Sequence, residues 1–216
     1  MPEWTSVSTI KPPPAAARPR GNAQWPRAAK AVLFPLCLSP AAWLVWKGLY
    51  ADLGANPIEA ITHATGDWTL RFLVFTLAVT PLRELLRVPE LIRFRRMLGL
   101  FAFFYGCLHF LTYIWLDKFF DLHDMVKDVA KRPFITVGFT AFVLLVPLAV
   151  TSTAGWIRRL GGKRWRLLHR LVYCSAAAGV VHYWWLVKSD IRKPLLYGTL
   201  VGVVLAYRAA RRLIPS

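Results

Sequence analysis

Acidic residues are few in this sequence. Its 216 residues hold 11 Asp and Glu against 28 Lys and Arg, a formal charge of +17. Cysteine is scarcer still. Cys37, Cys107 and Cys174 sit singly in apolar stretches, and without CxxC or CxxCH spacing they give neither a disulfide framework nor a c-type haem attachment. They read as small buried apolar residues. A glycine-rich phosphate loop and a nucleotide-binding fingerprint are also missing, so any NAD(P)H chemistry needs another polypeptide. No polar stretch is long enough for a sizeable soluble domain.

Hydrophobic residues are abundant, at 56%. They form runs of about 20 residues, the length that crosses a bilayer as a helix. Six such runs are expected to span, at about 31–50, 68–86, 97–116, 133–152, 167–187 and 194–213. Because lipid leaves no partner for an open backbone, continuous runs of this kind form helices. The fold class is therefore an all-α integral membrane protein, a six-transmembrane-helix bundle over residues 31–213. Pro35, Pro40, Pro81 and Pro147 fall inside the runs and are candidates for kinks. Residues 1–30, rich in Pro, Ala and Arg with Glu3 as their single acid, read as a disordered cytoplasmic tail.

The basic residues lie between the apolar runs rather than along one polar face. They are topology signals, and nucleic-acid binding is not indicated. Nineteen of the 28 fall in the N-terminal tail, the second and fourth connections and the C-terminus, whereas eight of the 11 acids lie on the opposite side. The positive-inside rule then places both termini in the cytoplasm. Tyr113, Trp115, Tyr183, Trp184 and Trp185 gather toward the outer ends of the third and fifth runs, as an interfacial belt does.

Five histidines remain. His63 and His123 belong to outer connections, where a solvated imidazole needs no explanation. His109, His169 and His182 lie within apolar runs, where ionisable groups are rare and face the bundle interior. His109 lies 13 residues after Arg96 and His182 lies 12 after Arg170, so at ~1.5 Å per residue both sit ~18–20 Å above the inner basic anchors. They share a level. His169 lies ~20 Å lower on the same run, near the cytoplasmic face. Thirteen residues also leave His169 and His182 ~140° apart around an ideal helix, so either that helix is irregular or the two face different sites.

Zinc wants three or four ligands close together, and no carboxylate or second histidine lies within a turn of any of the three. A proton relay favours Asp or Glu inside the spans, where Glu84 is the one candidate. Haem iron needs one or two axial ligands and a flat apolar slot. AAAG at 176–179 and FAFFYGC at 101–107, with Gly106 near His109, offer small residues and aromatic walls. Close helix packing explains the small residues equally well. Interhelical hydrogen bonding is the competing account of the histidines.

The single histidine in RRMLGLFAFFYGCLHFLTY, the pair in LGGKRWRLLHRLVY and HYWWLVK, the segment NPIEAITHATGDWTLRFL and VTST at 150–153 together resemble the MsrQ (YedZ) family. The resemblance covers about residues 43–210. It implies a ferric-reductase or NADPH-oxidase-like transmembrane domain that binds haem b and FMN. It further implies a bacterial inner-membrane subunit passing electrons to an MsrP-like periplasmic, molybdenum-containing reductase that repairs methionine sulfoxide in oxidised periplasmic proteins. The quinone pool or a cytosolic flavin reductase is the implied donor, and the catalytic site belongs to the partner subunit. Carried over by position, the haem-iron ligands are His109, His169 and His182.

On this reading His109 and His182 are axial ligands of an outer haem, and His169 ligates toward the cytoplasm. Arg95, Arg96, Lys163, Arg164 and Arg166 are candidate contacts for anionic groups, with ordinary topology charges as the plainer account. His63, with Thr65, Gly66 and Trp68, marks an outer surface where a partner or cofactor docks, or else a helix cap. Two alternatives remain: a transmembrane ferric-reductase-like cytochrome b with another acceptor, and a small transporter using histidines as a relay.

Overall fold

In the computed structural model, residues 24–50, 53–187 and 190–213 are described. They form eight α-helices and no strand: α1 (Trp25–Tyr50), α2 (Pro57–Leu85), α3 (Ile92–Leu111), α4 (Leu122–Lys131), α5 (Pro133–Val150), α6 (Ala154–Leu168), α7 (Leu171–Leu186) and α8 (Arg192–Leu213). A single 3₁₀ turn, Pro89–Leu91, leads into α3, and a π-helical segment, Thr112–Asp117, follows it. The expected tail lies outside the described residues up to position 23. From Trp25 onward the chain is already helical, so α1 begins before the apolar run does.

By length and composition, three helical stretches can cross a membrane: Trp25–Tyr50, Pro89–Asp117 and Pro133–Val150. Helix α7 is apolar but only 16 residues long. The charges of α2 and α8 fall along helices that pack into the bundle.

Three connections differ from the sequence reading, each for a local reason. Helix α2 starts at Pro57, well before its apolar run, because Asn56 caps it by accepting the Glu59 N–H and Pro57 takes the first turn, where no N–H is needed. His63, Thr65 and Gly66 are therefore helical, and Asn56 is the cap. The acidic connection after α3 contains α4, a short amphipathic helix capped by Asp121. The basic connection after α5 is α6, which breaks at Gly161 (φ 73°), where a side chain would be strained. The expected fifth span is shorter than its apolar run: the helix is interrupted at His169 and Arg170 before α7 begins.

The core sits chiefly between α2 and α3 and between α5 and α7. On the first pair, Phe72 stacks on Phe101 (5.5 Å) and on Tyr105 (5.3 Å) over a floor of Leu77 and Ala102, both wholly buried. On the second, Ala176 and Ser175 have no exposure, and the Ser175 hydroxyl donates to the Ala141 carbonyl at 2.8 Å. Without bulk between them the two backbones approach closely, as small residues permit in membrane bundles. Helix α8 is tied to α2 by polar bonds at both ends: Lys193 donates to Asp67 at 3.0 Å, and Tyr207 to Glu84 at 2.6 Å.

Helix α1 joins differently. The Tyr105 hydroxyl donates to the Cys37 carbonyl (2.9 Å) and accepts from the Ala41 N–H (3.1 Å). Those two backbone groups are one i, i+4 pair, so a side chain from α3 is inserted into the ladder of α1, beside Pro40. Cys37 is buried there, whereas Cys174 is exposed on the outside of α7, contrary to the expectation that all three cysteines pack inside.

Candidate cofactor site between two histidines

His109 comes within the last turn of α3, where the helix passes into the π-segment. Its Nδ1–H donates to the Thr62 carbonyl of α2 at 3.0 Å. The Thr112 hydroxyl donates to the His109 carbonyl (2.7 Å), and the Thr62 hydroxyl donates in turn to Thr112 (3.2 Å). The π-segment thus leaves no loose backbone acceptor at the histidine. The ring lies over Gly66, so close that a Cβ there would stand 3.1 Å from its Cε1.

His182 on α7 repeats this arrangement. Its Nδ1–H donates to the Phe134 carbonyl of α5 at 2.7 Å, and its ring covers Gly138, where a Cβ would come within 2.6 Å of Nδ1. Carbonyl acceptors assign the proton to Nδ1 in both rings, which leaves both Nε2 atoms with a free lone pair. Ligand histidines are held in the same way in known metal sites, with the far nitrogen donating to a carbonyl or carboxylate.

The two rings face each other across the bundle, 6.2 Å between centroids and 72° between planes. An iron bound by two imidazoles lies about 2 Å from each nitrogen, with each ring centre about 1 Å further back, which puts the centroids about 6 Å apart. The observed gap fits one iron. Around it opens a cavity of about 890 Å³ lined by α2, α3, α5 and α7, at the upper end of the range of about 300–1,000 Å³ usual for cofactor pockets. Each of those four helices gives the wall one glycine: Gly66, Gly106, Gly138 and Gly179. Leu73, Phe110, Phe142 and Leu145 supply apolar surface, and the exposed Asn56, Glu59, His63 and Arg132 stand at the mouth. The donor set and the slot suit haem. Among the described residues no group of three His, Cys, Asp or Glu is gathered as for a closed metal site.

The other sequence candidates lie elsewhere. His169 caps the C-terminus of α6, outside this cavity. The Thr151 hydroxyl spends its proton on the Pro147 carbonyl (2.6 Å) and so accepts from His169 Nε2 at 3.1 Å. The ring stacks on Trp165 at 3.9 Å. Because the chain is interrupted at His169 and Arg170, the 140° separation expected of one straight helix does not apply. Arg96, Lys163, Arg164 and Arg166 are exposed, Arg95 is half-buried, and Arg208 donates to the Tyr173 hydroxyl. His63 is an exposed residue 4.0 Å from Glu59.

Sequence reasoning missed Thr62, Phe134 and Gly138. Two of these act through backbone carbonyls, which no side-chain pattern reveals, and Gly138 looked like any small residue in an apolar helix. Asp67 was read as part of a connection. It is instead a buried carboxylate on the cavity wall, held by Lys193 at 3.0 Å with Arg71 at 3.9 Å.

Residues 65–180 match the family model described as the ferric reductase like transmembrane component. A protein-methionine-sulfoxide reductase heme-binding subunit MsrQ from Herminiimonas arsenicoxydans is 61% identical over 181 residues, 83% of each chain. The protein of the same name from Polaromonas naphthalenivorans is 53% identical over 183 residues, 84% of each chain. A third, from Azospira oryzae, is 55% identical over 188 residues, 86% of this chain and 80% of its own. His109 and both glycines, Gly66 and Gly138, lie within the residues matched by the family model, which ends two residues before His182, and the chain belongs to the MsrQ family of ferric-reductase-like membrane proteins.

Proposed function

We propose that the chain is the haem-binding, electron-transferring membrane subunit of a methionine sulfoxide reductase system, with His109 and His182 as the two axial ligands of one haem b. The observation that carries this reading is the pair of imidazoles, their ring centroids 6.2 Å apart, whose Nδ1 protons are both held by backbone carbonyls while their Nε2 atoms are left for a metal. Bound haem supplies one-electron chemistry. The protein supplies the ligands, the dry slot and the fixed orientation. Support for the wider reading comes from the relatives, named as haem-binding subunits of protein-methionine-sulfoxide reductase.

The finer picture has six crossings of the bacterial inner membrane, with both termini cytoplasmic and the His109–His182 level toward the periplasm. The charge asymmetry of the connections supports this orientation. Electrons arrive from the quinone pool or a cytosolic flavin reductase, with FMN as a second cofactor, and leave for a periplasmic molybdenum-containing catalytic subunit. His169 serves the cytoplasmic side. Its Nε2 is engaged with Thr151, so ligation there uses Nδ1 or follows release of that bond. Arg95, half-buried on α3, and Arg208, which donates to the Tyr173 hydroxyl, are the basic groups on that side best placed for an anionic cofactor group.

The test is an absorption spectrum of the detergent-purified, haem-replete protein. A Soret band that shifts on dithionite reduction is expected, followed by reoxidation on adding the catalytic partner with methionine sulfoxide. Absence of haem after haem-replete expression overturns the reading. Haem that reduces but is not reoxidised by the partner moves the acceptor elsewhere, to ferric iron or oxygen.

A further inference from the structure

The two histidines are held by the same device on two different helices. In α2 the acceptor is the carbonyl of Thr62 and the residue under the ring is Gly66. In α5 the acceptor is the carbonyl of Phe134 and the residue under the ring is Gly138. Each glycine stands four positions after its carbonyl. The spacing has a physical reason: along a helix every Cα–Cβ bond leans toward the N-terminus, so the side chain at i+4 lies over the carbonyl of residue i. That carbonyl already accepts its own ladder N–H; a slender hydroxyl or guanidinium can reach the second lone pair past a side chain at i+4, as Ser175 reaches the Ala141 carbonyl beside Leu145, but a flat imidazole lying over position i+4 needs that position empty. Among the described glycines, Gly66 and Gly138 alone have an imidazole in the space a Cβ would take.

We infer that Gly66 and Gly138 are the positioning residues of the haem ligands, each uncovering one backbone carbonyl that fixes the tautomer, plane and donor strength of the histidine above it. The inference rests on the reading of His109 and His182 as axial ligands. The two clamps do three things at once. They keep the proton on Nδ1, so that Nε2 is the ligating atom. They set the two planes 72° apart. They also make each imidazole a stronger donor, because a hydrogen-bonded Nδ1–H shifts electron density toward the metal side of the ring. Stronger donation stabilises the oxidised iron, so the clamps hold the midpoint potential down.

The device is graded. A methyl at Gly138 would stand 2.6 Å from Nδ1, 2.8 Å from Cε1 and 2.9 Å from Cγ of His182, which the ring can accommodate only by leaving. At Gly66 the closest approach is 3.1 Å, which asks His109 to give by a few tenths of an ångström. At Gly99 a methyl would meet Thr76 at an ordinary 3.6 Å, and at Gly202 it would meet nothing.

The experiment uses the full-length protein in detergent with four variants, Gly66→Ala, Gly138→Ala, Gly99→Ala and Gly202→Ala, alongside His109→Ala and His182→Ala. Haem occupancy, the low-spin EPR signal and the midpoint potential are read after confirming unchanged helicity and elution volume. Gly138→Ala is expected to lose at least tenfold in low-spin haem. Gly66→Ala is expected to keep its haem, with a displaced low-field EPR feature and a more positive potential, and the controls to match wild type. Should Gly138→Ala fail to accumulate, Gly66→Ala decides alone. The inference is overturned if Gly66→Ala matches wild type in all three measurements, or if the control glycines change as much. If His109→Ala and His182→Ala keep the low-spin haem, the ligand assignment itself has failed. If they lose it while both glycine variants are unchanged, only the clamp has failed.

Discussion

The imidazole planes of His109 and His182 cross at 72° with their centres 6.2 Å apart. If both imidazoles held one haem iron at that angle, its dxz and dyz orbitals would lie close in energy, and the oxidised protein should give a highly anisotropic low-spin EPR signal. His109→Ala and His182→Ala should each remove that signal and the same component of the optical spectrum. His169→Ala should leave both in place, because its ring stands outside the cavity. Loss of all haem in His169→Ala, with the other two variants intact, would put the ligands elsewhere.

Gly106 tests the slot rather than the ligands. A Cβ there meets Phe142 at 3.5 Å and Thr69 at 3.7 Å, ordinary contact distances, but anything longer projects among the cavity-lining side chains. Gly106→Leu should therefore lower haem content about tenfold while destabilising the bundle by only ~1–3 kcal/mol, the usual cost of modest overpacking. Haem content by pyridine haemochrome, set beside a thermal melt of the same preparation, checks this. A large loss of melting temperature with normal haem loading would show that Gly106 is there for helix packing.

Tyr105 fastens α1. Removing its hydroxyl leaves the Cys37 carbonyl and the Ala41 N–H to close on each other next to Pro40, and α1 makes few other contacts with the bundle. Tyr105→Phe should cost about 1 kcal/mol, in line with polar contacts between membrane helices. The loss should appear as faster hydrogen exchange in residues 37–41, with an unchanged haem spectrum.

Lys118 and Asp128 pin α4 over the cavity mouth at 2.5 Å, both nearly buried. The hydrogen bond from Lys118 holds the Asp128 carboxyl below its usual range, and the same bond raises the Lys118 ammonium. A depressed carboxyl stabilises the fold fully above its unfolded value, about 3.9, and the contribution is lost as pH falls through the lower folded value; a raised ammonium stabilises fully below about 10.4 and is lost as pH rises beyond it. Protection of residues 122–131 against hydrogen exchange should therefore be flat from about pH 5 to 9 and fall at either extreme. In Asp128→Asn it should be low throughout, without the acid arm. A wild-type profile in that variant would mean that α4 is held by its apolar face alone.

Much of this was legible without coordinates, and for reasons that can be named. His109 and His182 could be matched in depth because rise per residue is constant and the basic anchors mark one membrane face. The cost of placing an imidazole in lipid without a purpose marks both as candidates for one site. The sequence puts His169 about 20 Å below His182 but leaves open which way it faces, because a helix that stops at residues 169–170 looks the same in hydropathy as one that continues. The early start of α2 was hidden for the opposite reason: its first turns are polar, and the Asn56 cap outweighs the absence of apolar residues.

The sequence by itself determined that the chain is helical and apolar, which way its charges bias it, and which side chains can bind a metal, because these depend on residue type and spacing along one strand of chain. The tertiary structure alone decided that His109 and His182 point at each other, which backbone carbonyls hold them, and that Gly66 and Gly138 lie beneath their rings. Those are relations between helices, and a carbonyl made available by the absence of a side chain four residues later leaves no mark in the sequence except a glycine.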